Sequence, residues 1–406
     1  MNDNRPLVVI FRLISKPIGG VQRVLATVLP HLVEEFRLVF IDPYNDPDFA
    51  ATMRQAGLEV VSLGRAPNPR RIGGNGSLWR PFFLLRRAPW LLPIMWRFRR
   101  WAARENPDVV YFTELPPARV FGRLIAHRNV GLVYHEHGIT SPNDVGRRTA
   151  RFLSRRFARV LAVSKIMARF LVEAGTDPDK VHVVYNAVDA AAIRQRAELP
   201  PKPLPHKPPH SVVFVHIGEL TWHKKAQHLS IGALARLPRE TQTQLWICGD
   251  IPDTGDRAYL DQLKQQVTEL DLLDRVHFLG WRDDVPSIVK ASDVCVLPSR
   301  DHSESFGMVL AEAMAQGKPC IGSNMGGIPE VIDDRVTGLV CEPTEESLAE
   351  AMTQMLESPH MRQSMGEAGR LRVESAFSLP RQVAEFADAF RCAAAQGNRS
   401  PRAEGV

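Results

Sequence analysis

Residues 293–323, DVCVLPSRDHSESFGMVLAEAMAQGKPCIGS, restrict the fold more than any other stretch. VCVL is a short apolar run of strand type, and PSRDHSES is a polar loop. Met308 to Gln316 has apolar residues at 308, 309, 310, 314 and 315, with Gly317 where a helix ends, and the PCIGS run then restarts a strand. Strand, loop, helix, strand is a βαβ unit, which demands a parallel sheet. Ligands of open α/β sheets bind at the carboxyl edge of the strands, where this loop lies.

The loop has the chemistry of an anion site. The first turn of a helix leaves N–H groups without partners and carries partial positive charge. Gly307 lets a ligand approach the backbone, so the Met308 and Val309 amides are candidate donors to a phosphate. Two carboxylates frame the site: Glu304 in the loop, and Glu312 one turn into the helix, where a merely solvated glutamate is the ordinary alternative.

The string Glu304-Ser305-Phe306-Gly307-Met308-Val309-Leu-Ala-Glu312-Ala-Met-Ala-Gln-Gly317-Lys-Pro319, followed by Gly326-Gly-Ile-Pro-Glu330, resembles the E-x7-E signature of retaining glycosyltransferases of family 4. That resemblance implies an α/β GT-B fold: two Rossmann-like domains with parallel sheets facing each other across a cleft. It implies transfer of a sugar from a nucleoside-diphosphate-sugar donor to an acceptor hydroxyl with retention of configuration. Glu304 would hold the donor sugar, Glu312 the ribose, and residues 305–309 would line the diphosphate pocket.

Length and charge fit two domains. The chain has 406 residues, and chains beyond 250–300 residues divide into separate cores. Residues 1–199 carry 30 Lys and Arg against 17 Asp and Glu, a balance of +13; the remainder carries 21 against 28, a balance of −7. The five cysteines all lie after residue 240 with no C-x-x-C, which reads as a reduced, cytoplasmic protein. No run of 18 apolar residues exists. Residues 200–209 hold six prolines and are the expected boundary. The expected division is 1–199 acceptor-side domain, 200–210 linker, 211–378 donor domain, 379–395 a helix returning to the first domain, and 396–406 a disordered tail.

Other segments extend the resemblance. LVVIFRLI (7–14) precedes Gly19-Gly20 and a helix from Val21, a tight turn that the family resemblance places beside the donor. VYHEHG puts His135 and His137 on one strand face. A zinc pair lacks further ligands at suitable spacing, and the resemblance places His137 beside the transferred sugar. VLAVSKIMARFLVEAG and VHVVYNAVD resemble the family at 160–189. After SVVFVHIG, the family has arginine and lysine that clamp the diphosphate; here Glu219 holds the arginine position, and either Lys224 or Lys225 is the lysine. Trp281 and Arg282 stand where the family rests the nucleotide base. No carboxylate cluster suggests Mg²⁺, so neither metal nor cofactor is expected.

Residues 60–104 hold ten arginines, no acidic residue and Trp79, Trp90, Trp96 and Trp101. Three readings stand: a packed helix with a solvated arginine face, a membrane-surface patch with arginines on anionic lipid, or a nucleic-acid surface, which lacks any accompanying fold signature. Prolines 81, 89 and 93 are expected to break the segment into short helices. The expected partners are a nucleotide-sugar donor, a glycan or lipid-linked acceptor of envelope polysaccharide or lipopolysaccharide assembly, and anionic membrane at the inner face, with no nucleic acid. The alternatives are another GT-B enzyme such as a nucleotide-sugar epimerase, or a non-catalytic sugar-nucleotide-binding protein, which Glu219 would favour.

Overall fold

The computed structural model describes residues 4–11, 20–42, 47–64, 80–125, 129–139, 141–221, 224–251, 257–300, 302 and 304–399. Two compact units emerge. The first comprises residues 1–163, 167–184 and 380–406; the second comprises 164–166 and 185–379.

In the first unit, strands β1 (Leu7–Phe11), β2 (Arg37–Asp42), β3 (Glu59–Ser62), β4 (Val109–Phe112), β5 (Gly131–Glu136), β6 (Arg159–Ala162) and β7 (Val181–Val183) form one sheet in the order 3-2-1-4-5-6-7. Every pairing is parallel. The middle strands are continuous apolar runs such as LVVIF and VVYF, as a sheet covered on both faces requires. Its helices are α1 (Gly20–Val28), α2 (Pro47–Gln55), α3 (Arg80–Glu105), α4 (Leu115–Ile125), α5 (Pro142–Val145), α6 (Arg147–Arg156) and α7 (Lys165–Glu173), whose first two residues group with the second unit.

The second unit contains α8 (Ala190–Ala197) and strands β8 (Val213–Ile217), β9 (Gln244–Cys248), β10 (Val276–Gly280), β11 (Val294–Leu297), β12 (Cys320–Ser323) and β13 (Gly338–Cys341). They pair in parallel in the order 10-9-8-11-12-13. Its remaining helices are α9 (Gln227–Ala235), α10 (Arg257–Glu269), α11 (Val285–Ala291), α12 (Met308–Met314), α13 (Ile328–Val331), α14 (Glu345–Glu357) and α15 (Pro359–Ala376).

Helix α16 (Leu379–Arg399) groups with the first unit from Pro380 on. Phe390 packs edge-on against Phe36 and Tyr111, and Phe386 lies 5.7 Å from Tyr111 and 5.5 Å from His135, centroid to centroid. The helix runs through 396–399, which were expected in a tail; 400–406 lie outside the described residues.

Two local expectations are corrected. The crossing between units falls at Tyr185, and the proline-rich 200–210 segment belongs to the second unit. The extended chain there is held by Arg282, which donates to the carbonyls of Lys202 and Pro203 at 3.0 and 3.1 Å. The described part of the arginine-rich segment from Arg80 on is one helix, α3, rather than several. Pro81 stands in the first turn, where a missing N–H costs nothing, and Pro89 and Pro93 are one turn apart on the same side. The C-terminal half is held by packing: Ile94, Phe98, Trp101 and Ala102 are buried, and Phe98 meets Phe11 at 5.0 Å and Phe121 at 5.5 Å. Trp79 lies outside the described residues. None of the described helices is long and apolar enough to cross a membrane.

Candidate active site

In the second sheet, β8 and β11 are hydrogen-bonded neighbours although they are not consecutive in the chain, so the connections depart in opposite directions from that pair. A crevice at the carboxyl ends of such strands is where open α/β sheets take ligands. The loop after β8 carries Lys225, the loop after β11 carries Glu304, and the two side chains form an ion pair. Both are largely enclosed, with side-chain exposures of 22% and 14%. Lys224 is exposed, so of the two lysines it is Lys225 that meets Glu304.

Each loop is held by its own set of bonds. Gln227, fully buried at the start of α9, donates from Nε2 to the Glu219 carbonyl at 2.9 Å, and Tyr259 donates to Gln227 Oε1 at 3.3 Å. The Glu219 side chain is exposed. Behind Lys225, His216 is fully buried on β8 with Nδ1 2.9 Å from Ser230 Oγ. Burial, and then the charge of Lys225, push its pKa down to about 3. The site wall therefore keeps a neutral imidazole beneath the ammonium.

The Glu304 loop rests on the Gly326–Gly327 turn. Gly327 N donates to the Glu304 carbonyl at 2.8 Å, and Gly326 N donates to His302 Nδ1 at 3.2 Å. A Cβ on Gly326 would stand 2.2 Å from the Glu304 carbonyl oxygen, and one on Gly327 2.3 Å from that of Ser305. Only glycine admits so close an approach. Phe306 is buried against Tyr185 and Phe377, with centroids 5.9 and 5.2 Å away, so its ring anchors the loop rather than facing a ligand. Gly307, with φ of 95°, is the N-cap residue of α12. The Met308 and Val309 amides open that helix, and Glu312 lies half-buried further along it. Glu330 is structural: it accepts from the Lys165 and Ile166 amides at 2.7 and 2.9 Å and from Tyr185 at 3.0 Å.

Two expected donor contacts stand apart. Arg282 forms a fork with Asp284, 2.7 Å on each side, besides clamping the proline-rich segment. The guanidinium holds the Asp284 carboxyl down to about 2. Arg282 is thus occupied by structure, whereas Trp281 is 67% exposed at the end of β10. A hollow of about 540 Å³ lies elsewhere in this unit, lined by Asn324, Asp333, Asp334, Glu342 and Arg372 among others, and includes none of the expected site residues.

In the first unit, Gly20 begins α1, and Gly19 lies outside the described residues. His137 follows β5, with its ring 4.0 Å from that of His135. His135 is fully buried with Nδ1 2.8 Å from Tyr111 Oη, and burial holds its pKa well below the usual imidazole range. Sequence reading passed over Glu136. It is buried, its Oε1 accepts from the Gly138 and Ile139 amides at 2.6 and 2.9 Å, and its other oxygen accepts from Tyr134. Those bonds fix the loop that carries His137. Neither Glu136 nor Gln227 belongs to a spacing pattern that a sequence scan rewards; only an acidic residue inside an apolar strand was there to notice.

Two doubly wound parallel units in one chain are the architecture of the GT-B fold. Solved structures agree with that class: the Anabaena protein Alr3699/HepE, in complex with UDP, aligns with a TM-score of 0.76 at 22% identity, over 95% of this chain and 99% of that one. Residues 18–192 match the family described as Glycosyltransferase Family 4, and residues 202–372 match Glycosyl transferases group 1. The chain belongs to glycosyltransferase family 4. Its relatives include the N-acetyl-alpha-D-glucosaminyl L-malate synthase of Bacillus anthracis, 29% identical over 73% of this chain and 78% of that protein. The UDP-Gal:alpha-D-GlcNAc-diphosphoundecaprenol alpha-1,3-galactosyltransferase of Escherichia coli is 31% identical over 53% of this chain, which spans about half that protein's length (54%).

Proposed function

We propose that this glycosyltransferase moves a sugar from a nucleoside-diphosphate donor to a hydroxyl of a glycan or lipid-linked acceptor, with retention of configuration and without a metal ion. The observation that carries the reading is the Lys225–Glu304 pair at the switch point of the second sheet. The leaving group is a diphosphate whose growing charge needs fixed cations and N–H donors. Lys225 and the Met308 and Val309 amides supply them. Glu304, released from Lys225 by the diphosphate, accepts hydroxyls of the sugar and orients the anomeric carbon; Glu312 takes the ribose. On the first unit, His137 is the residue that the family resemblance assigns to the sugar, and the departing phosphate receives the acceptor's proton. Trp281 stays as a platform for the base, while Arg282 drops out of the donor set.

The relatives support this choice of substrates. One solved Anabaena HepE complex holds UDP-glucose, and the Escherichia coli relative acts on a diphosphoundecaprenol-linked acceptor. A lipid-linked acceptor places the enzyme on the cytoplasmic side of an envelope membrane, in polysaccharide or lipopolysaccharide assembly. The exposed Leu92 and Trp96 of α3, with Arg99 and Arg100 beside them, suit that location.

A thermal-shift panel of UDP, GDP and ADP sugars tests the reading, because a ligand that binds the folded state raises its melting temperature. One base should give a dose-dependent shift. Glu304→Ala should keep the shift from the nucleotide alone and abolish transfer; Glu312→Ala should mainly weaken the nucleotide shift. Undiminished turnover in the Glu304 variant sinks the assignment.

A further inference from the structure

Helix α6 carries a charge pattern that the donor chemistry does not use. Its buried side is Thr149, Ala150 and Leu153, and its exposed side is Arg147, Arg148, Arg151, Arg155 and Arg156. Among the described residues none of these five makes an ion pair or a side-chain hydrogen bond, and no Asp or Glu occurs between Asp144 and Glu173. The adjoining helix α4 extends the surface: Arg119 and Arg123 are exposed, and the Arg123 guanidinium lies 4.1 Å above the Phe152 ring of α6. The two helices touch through Gly122, which faces Phe152 and Phe157.

Arg155 and Arg156 suit the last turn of the helix, but the rest of this arrangement opposes helix stability. Arg147 and Arg148 sit at the positive end of the helix dipole. Arg147–Arg151 and Arg151–Arg155 are like-charge pairs at i,i+4, each costing a few tenths of a kcal/mol. A surface kept only for solubility would mix signs. Local rules broken without a packing gain mark a functional surface.

We infer that the α6–α4 arginine face docks the enzyme on an anionic bilayer. Guanidinium groups spread over neighbouring helices match a plane of phosphates, which they bind bidentately. Single-stranded nucleic acid would require exposed aromatic rings for stacking, but the aromatic Phe152 is covered by Arg123. The inference deepens the lipid-linked reading above, and its assay needs no turnover.

The full chain is sedimented with vesicles of phosphatidylcholine alone and of phosphatidylcholine with phosphatidylglycerol, at low and raised salt. The wild type should pellet with the anionic vesicles and be released by salt. Each single Arg→Gln change on α6 should weaken binding about fivefold. The combined R147Q/R148Q/R151Q/R155Q/R156Q variant should lose more than a hundredfold. Its melting temperature should hold or rise as like charges are removed, and the donor-induced shift should persist, so the loss is not unfolding. The proposal is overturned if the combined variant pellets like the wild type. It is equally overturned if the wild type ignores lipid charge, or if it binds soluble polyphosphate or DNA while ignoring vesicles. A missing donor shift in both proteins would instead count against the transferase reading alone.

Discussion

At the scale of the residue, the site depends on groups whose protonation is set by burial. His216 is fully buried behind Lys225, and its Nε2 has no acceptor among the described residues. Protonation would place a second cation against the ammonium in a dry wall. Its folded pKa, about 3, lies below the unfolded value of 6.5, so the unfolded chain takes up the proton first. The stability it allows is complete above pH 6.5 and falls as pH drops toward 3, by about 1.4 kcal/mol for each pH unit. Urea unfolding at pH 7, 6 and 5 should show stability falling with pH in the wild type, with His135 adding to the share of His216. His216→Asn should flatten it by the same amount, and an unchanged slope would remove His216 from this role. The candidate residues divide by kind. Glu304, Gly307 and Glu312 are candidates by spacing, because their positions in the loop and helix follow a recognisable pattern. The choice of Lys225 over Lys224 could not, since one residue of shift in a loop changes which side chain faces inward. Arg282 reads as a ligand in sequence and is a clamp in the fold, because Asp284, two residues on, competes for it.

At the scale of the element, period and punctuation identified the βαβ units, and tertiary packing overruled them in α3. Proline weakens a helix by about 3 kcal/mol. Burial of Ile94, Phe98, Trp101 and Ala102 is what the local rule omits. Helix α16 shows the same dependence. Phe390 is fully buried between Phe36 and Tyr111. Phe390→Ala should destabilise the first unit by about 3–5 kcal/mol, measured by denaturant unfolding monitored in that unit. A loss below about 1 kcal/mol would mean the helix contributes little to that core. The sequence placed this helix by resemblance alone, since nothing in its own periodicity says which sheet it covers.

At the scale of the whole molecule, the alternation of strands and helices made the two parallel sheets legible, whereas the point of division was not. A proline-rich stretch looks like a linker until an arginine and an aspartate fasten it down. The proposed metal-free scheme makes a direct prediction: transfer should proceed at full rate in EDTA. Loss of activity that Mg²⁺ restores would overturn the scheme in which Lys225 and backbone amides carry the diphosphate charge.

The discontinuity of the first unit has a consequence in time. The 195 residues from Tyr185 to Leu379 belong to the other unit and are synthesised before α16. At 5–20 residues per second, roughly 10–40 s pass between completion of β7 and arrival of the helix that covers Phe36, Tyr111 and His135. During that interval the nascent chain carries an uncovered aromatic seam while a complete second unit forms behind it. A ribosome stalled near the C-terminus would therefore hold a finished second unit and an unfinished first one, a species with a need for chaperones that the released protein lacks.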